Sequence, residues 1–214
     1  IIRWRTDQAV TGRVLYGNSP TALSSSVATN TTTTEHQIAL TGLSLDTRYY
    51  YAIGTSTGIL SGGDSDHFFV TAPLAGTSKA VRMWVLGDSG RPGPSVRQVR
   101  DSYYAYTGSR HTDLWMMLGD NAYYSGTDAE YQAGVFDIFP DMLRKSVLWP
   151  TIGNHDAVSA SSVHQTGPYY DIFTLPKEAE AGGVSSGTEA YYSFDYANIH
   201  FICLNSESIS SIGS

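Results

Sequence analysis

The chain has 214 residues, a formal net charge of −7 and one cysteine, Cys203. With 15% charged and 12% aromatic residues, tyrosine foremost, it has the composition of a folded, strand-rich protein rather than a disordered one. One cysteine excludes an intrachain disulfide, the acidic balance argues against nucleic acid or an anionic membrane as partner, and no apolar run is long enough to span a bilayer.

The opening Ile1-Ile2-Arg3-Trp4 reads like the middle of a strand, so the true N-terminus is expected upstream and the absent leader says little about localisation. Over residues 1–72 the segments IIRWRT, GRVLYG, EHQIALTG, TRYYYAIGT and SDHFFVTA are rich in β-branched and aromatic residues, separated by Gly, Asn and Ser. Without helical periodicity between them, they predict a β-sandwich. The stretch LTGLSLDTRYYYAI resembles the strand E to F corner of fibronectin type III domains: Leu43, Thr47 and Tyr49 match, and Leu45 stands in place of the usual proline. Trp4 is then the core tryptophan. His36 and His67 fall in this half, where nothing looks catalytic.

Residues 73–80 read as a linker, and the pattern then changes. VRMWVLGD (81–88) is an apolar run ending in Gly-Asp. SVRQVRDSYYAYTG (95–108) reads as a helix, with Ser95 as N-cap and Gly108 as its stop. DLWMMLGD (113–120) is a second apolar run, 128–145 a helical stretch interrupted at Pro140, and VLWPTIGNHD (147–156) a third run. Strand and helix alternating in this way predict a parallel α/β sheet. Near the end, two strands surround a tight turn at Ala197-Asn198, and Cys203 reads as a buried small hydrophobe.

Asp88, Asp120 and Asn154 each follow a predicted strand, and in open α/β sheets sites form outside the carboxyl ends of strands. With Tyr123 and His155 they present carboxylate, amide, phenol and imidazole donors without thiolate. That set suits hard or borderline metals, and two aspartates on adjacent strands can bridge an ion pair. Bound cations would also reverse the acidic local field for small phosphorylated substrates.

GDSG (87–90), GDNAY (119–123) and GNHD (153–156) together resemble the first three metal-site blocks of the purple acid phosphatases, in the calcineurin-like metallophosphoesterase superfamily. A fibronectin-like domain before the catalytic one is also that family's arrangement. The resemblance implies a fibronectin type III-like sandwich over 1–72, and over 81–214 an α/β metallophosphoesterase domain incomplete at its C-terminus. It further implies that Asp88 and Tyr123 bind Fe(III), that Asp120 bridges the metals, and that Asn154 binds a second ion, Fe(II), Zn(II) or Mn(II). Most of the superfamily has a histidine where this chain has Gly90, and Tyr123 is expected to supply that donor. His155 is expected to contact phosphate or assist the leaving group, with Asp156 orienting it, while Arg91 reads as a solvated loop arginine and Tyr124 as packing. The family's further histidine blocks do not follow, and His111, His164 and His200 are not counted as ligands. The chain is therefore expected to be part of a larger enzyme, a binuclear acid phosphatase using a metal-bound hydroxide. The alternatives are a phosphodiesterase or nucleotide-hydrolysing relative, or a non-catalytic binding protein. Few lysines, abundant Ser, Thr and Tyr, the resemblance and a glycosylation triplet at Asn30-Thr31-Thr32 favour secretion.

Overall fold

The structure is a computed structural model, and it describes residues 1–207; the last seven residues of the expected second domain lie outside the described residues. The chain divides into two compact units, Ile1–Pro73 and Leu74–Ser214.

The first unit is all β. Strands β1 (Ile2–Gly17), β2 (Ser25–Ile38), β3 (Arg48–Gly54) and β4 (Ile59–Gly62) form a sheet in the order β2-β1-β3-β4, and β5 (Phe68–Val70) also pairs with β3. All pairings are antiparallel. The two strands expected at IIRWRT and GRVLYG are one long strand with irregular register between Arg5 and Gly12. That irregularity folds the β1–β2 hairpin back on itself. A Cβ on Gly12 would lie 3.2 Å from the tip of the Trp4 indole, although eight residues of straight strand would hold the two about 26 Å apart. Ile2, Trp4 and Ile38 thereby pack with Val14 and Tyr51 in one core, so the sandwich is made by folding a single hydrogen-bonded sheet. Residues 25–34, a Ser/Thr-rich stretch, carried no strand expectation. They are strand because β1 supplies the ladder, and pairing context outweighs composition.

Two polar contacts complete this unit. The Tyr49 hydroxyl accepts the Ser44 N–H at 3.0 Å, tying the chain back at the corner that the sequence marked. His36 is buried, stacked on Trp4 at 4.6 Å between ring centres and bonded to Thr6 Oγ1 at 3.0 Å, which makes it a core residue.

The second unit holds a parallel three-stranded sheet, β6 (Met83–Leu86), β7 (Leu114–Met117) and β8 (Val147–Pro150), in that order. Helix α1 (Pro94–Thr107) connects β6 to β7. It starts ahead of the expected Ser95 cap because Pro94, with φ preset and no N–H to satisfy, takes the first helical position. Gly108 ends it as expected, its N–H returning to the Tyr104 carbonyl. Between β7 and β8 the helical stretch breaks into α2 (Asp128–Tyr131), a π-turn (Gln132–Phe136) and α3 (Pro140–Leu143). Pro140 opens α3 and pushes Phe139 out of helical geometry. A short α4 (Pro168–Ile172) follows, then the hairpin β9 (Tyr192–Tyr196) and β10 (Ile199–Cys203) around Ala197-Asn198.

Aromatic rings fill this core. Trp84 stacks on Tyr103 at 4.0 Å, Phe139 lies 5.0 Å from Trp115, and Trp149 stacks on Phe194 at 3.7 Å. Cys203 is half-buried with its sulfur 3.1 Å from Thr151 Oγ1, and burial pushes its thiol up, away from reactivity. His200 pairs with the Asp195 carboxylate across the hairpin at 2.7 Å.

Candidate metal centre

The ends of β6, β7 and β8 are stitched together just beyond the regular ladder. Leu118 N–H donates to the Leu86 carbonyl (2.7 Å), Gly90 N–H to Asp120 (3.1 Å) and Thr151 N–H to Met117 (2.7 Å). Each aspartate of a Gly-Asp pair then turns into the left-handed region, Asp88 at φ 55° and Asp120 at φ 54°. That conformation is uncommon for a residue with a Cβ and is best tolerated by Asp and Asn. Two equivalent strand ends therefore store the same local strain, as functional sites often do.

Tyr123 lies across both. Its hydroxyl is 2.7 Å from Asp88 Oδ1 and 2.9 Å from Asp120 Oδ2. One phenolic proton thus faces two carboxylates, and burial together with those hydrogen bonds and charges pushes the phenol well above its ordinary value. Three hard oxygens converging on one point, with only one proton among them, form a donor set that a cation would neutralise.

Gly90 explains why the third donor comes from Tyr123. A Cβ on Gly90 would fall 2.1 Å from the Asn121 carbonyl carbon, and a Cβ on Gly134 2.2 Å from the Gly90 oxygen. Gly90 is wedged between two backbones, so no side chain fits at that position.

Asp120 is held from the third strand end as well. His155 N–H donates to Asp120 Oδ1 at 3.0 Å, and a Cβ on Gly153 would lie 2.3 Å from the same oxygen. The turn carrying Asn154 therefore wraps Asp120, with the Asn154 side chain exposed. Among the described residues no three His, Cys, Asp or Glu side chains group around a metal position. The donors that do converge are the two aspartates and the tyrosine.

His155 is oriented differently from the expectation. Its Nδ1 lies 2.6 Å from the Tyr124 carbonyl, which can only accept, so Nδ1 carries the proton and Nε2 is the remaining polar atom. Its ring lies 4.2 Å from that of Tyr123. Asp156, expected to orient it, points into the core. Its Oδ2 accepts from Gly153 N–H (2.9 Å), Asn121 N–H (3.1 Å) and Asn121 Nδ2 (2.9 Å), and its Oδ1 from the Tyr131 hydroxyl at 2.5 Å. Burial pushes its carboxyl up against these hydrogen bonds, which pull it down. Asp156 is the buried clasp between the second and third strand ends. Asp156 opens a short 3-10 turn just after His155, and its carboxylate is taken up by Tyr131, Asn121 and Gly153 instead of the neighbouring imidazole.

Glu130 is a residue that the sequence reading missed. Its carboxylate accepts from Tyr124 N–H, from Ser125 N–H at 3.0 Å and from Thr127 N–H at 2.9 Å, holding the loop after Tyr123. Thr127 and Glu130 form a capping box on α2, and the T-x-x-E spacing was a legible signal of it.

Tyr124 departs from the sequence reading, whereas Arg91 is an exposed loop arginine as expected. Tyr124 is 59% exposed rather than packed, and the Arg91 guanidinium lies over its ring, 5.5 Å from the centre.

A family model described as the N-terminal domain of purple acid phosphatase matches residues 1–72. Purple acid phosphatase 1 of Ipomoea batatas is 26% identical over 181 residues, an alignment that covers 81% of this chain and 35% of that protein. An alignment of that length necessarily runs through both units. The structure of a purple acid phosphatase isolated from yellow lupin (Lupinus luteus) seeds superposes with a TM-score of 0.64 at 15% identity, covering 99% of this chain and 43% of that one. The structure of PhoD superposes with a TM-score of 0.53 at 15% identity, over 94% of this chain and 46% of that one. The chain spans about a third of the length of the curated relative and less than half of either solved structure. The fold is shared with these solved structures, and the chain is similar to the purple acid phosphatases in its N-terminal domain and along most of its length.

Proposed function

Taking that kinship as the premise, we propose that this chain supplies part of a binuclear-metal site that hydrolyses phosphate monoesters. The observation that carries the reading is the Tyr123 hydroxyl seated between Asp88 and Asp120, beside a Gly90 that has no room for a side-chain donor of its own. Asp88, Tyr123 and Asp120 would hold Fe(III), and Asp120 with Asn154 a second ion, Fe(II), Zn(II) or Mn(II). These cations would neutralise phosphoryl charge and lower the pKa of the attacking water.

The chain's own residues do the rest. Tyr123 and Asp120 are fixed by the three stitched strand ends, so donor positions are preorganised before any ligand arrives. His155 is clamped by its N–H to Asp120 and its ring to the Tyr124 carbonyl, which leaves Nε2, when it too carries a proton, to donate to a phosphate oxygen or to hand that proton to the leaving-group oxygen. In solution the partners are small phosphorylated compounds, and neither nucleic acid nor membrane is called for. Asn30, exposed on β2, suits glycosylation in a secreted protein.

The test is hydrolysis of an aryl phosphate at acid pH together with the visible spectrum after iron loading. Tyr123→Phe should abolish a tyrosinate charge-transfer band, and Asp120→Asn should lower kcat/KM by about 100-fold or more. Full activity in Asp120→Asn would refute the proposal.

A further inference from the structure

Arg91 is the residue that neither the fold nor the metal reading uses. It directly follows Gly90, which is locked between the backbones of Asn121 and Gly134 and donates its N–H to the Asp120 carbonyl. The backbone of Arg91 is therefore fixed three residues beyond Asp88. Its side chain is exposed, and its guanidinium rests on the ring of Tyr124. That ring has a second neighbour, the imidazole of His155, 6.4 Å away between centres, and the same residue's carbonyl accepts the His155 Nδ1–H. A permanent cation thus shares one aromatic neighbour with the histidine proposed to face the leaving group. The ring holds the guanidinium by cation–π attraction and leaves its N–H fork for an anion.

We propose that Arg91, seated on Tyr124, is a specificity residue for phosphoesters and anhydrides whose leaving group carries a second anionic group, the simplest being inorganic pyrophosphate. The inference rests on the phosphoester reading of the same site. In the reaction the water oxygen bonds to phosphorus and the bond from phosphorus to the bridging oxygen breaks. One water proton ends on the leaving oxygen and the other goes to solvent. Arg91 does not touch the reacting phosphoryl group. Its fork holds the leaving phosphate beside His155, whereas an uncharged aryl leaving group offers it nothing. A lysine in its place would supply charge without the planar fork.

The experiment compares the metal-loaded parent protein with Arg91→Ala, Arg91→Lys and Tyr124→Leu in two readouts. In kinetics, the ratio of kcat/KM for pyrophosphate to that for phenyl phosphate should fall about tenfold or more in Arg91→Ala and Tyr124→Leu, with Arg91→Lys between them and the parent. In calorimetric titration, which needs no turnover, pyrophosphate should lose affinity in Arg91→Ala by a larger factor than inorganic phosphate does. Equal losses for both anions and an unchanged kinetic ratio would overturn the role of Arg91. Selective loss of pyrophosphate affinity in a protein without turnover would uphold the subsite and refute the catalytic reading instead.

Discussion

Two side chains at the centre of the site carry opposite physics. Tyr123 faces two carboxylates at hydrogen-bond distance, so its phenol resists ionising until a cation takes the place of the shared proton. Asp156 is fully buried and already paired with one hydroxyl and three N–H bonds. Removing the Asp156 carboxylate would strand those donors in the core. Asp156→Ala should therefore destabilise the second unit by about 3 kcal/mol or more, with Asp156→Asn milder. Urea unfolding checks this, and a variant as stable as the parent but inactive would restore Asp156 to a catalytic role. The sequence showed Asp156 beside His155 but not which way either side chain turned. Adjacency along a chain does not give direction when the backbone changes conformation at that point.

At the scale of elements, the loop between β7 and α2 and the turn after β6 are what set donor positions. Gly90→Ala would place a methyl group against the Asn121 backbone, which cannot yield as a flexible side chain would. The substitution should cost about 2 kcal/mol or more, and should weaken the proposed metal binding by spreading Asp88 from Tyr123. Equilibrium unfolding and metal titration would read the two effects separately.

Glu130 gives this loop a pH dependence. Burial raises its carboxyl, but the N–H donors of Thr127, Ser125 and Tyr124 more than offset this, so it ends below its ordinary value of 4.5. A depressed carboxyl stabilises the fold above the unfolded value and loses that stabilisation as pH falls through the folded value. The loop amides should therefore stay protected from hydrogen exchange well into the acid range, then open below it. In Glu130→Gln, protection should be weaker throughout and lack that acid step. A parent loop that opens near neutral pH would contradict the assignment. The capping-box spacing made this element partly legible, but the three further N–H bonds depend on how the loop closes on itself.

For the whole molecule, the acidic charge of −7 and the converging carboxylates should make it gain stability from cations that bind only the folded state. With metal at about 100 times its dissociation constant, linkage predicts about 2.7 kcal/mol of stabilisation, seen as a rise in melting temperature that a chelator reverses. Asp120→Asn should remove most of the rise, because the Asp120 carboxylate is contacted from both the second and the third strand ends, by the Tyr123 hydroxyl and the His155 N–H.

The sequence by itself determined the strand-and-turn character of the first half, the α/β alternation of the second, and the three strand-end positions of Asp88, Asp120 and Asn154. Those features are local. Apolar runs, glycine punctuation and proline placement act within a few residues, and the order of the runs sets which ends fall side by side. Only the tertiary structure decided the rest. It folded β1 back at an irregular register, turned Asp156 inward and His155 to the Tyr124 carbonyl, closed the space at Gly90, and laid Arg91 over an exposed Tyr124. Each of these depends on close contact between residues well apart in sequence, where a backbone or ring from elsewhere removes or offers space, and no pattern along the chain records that.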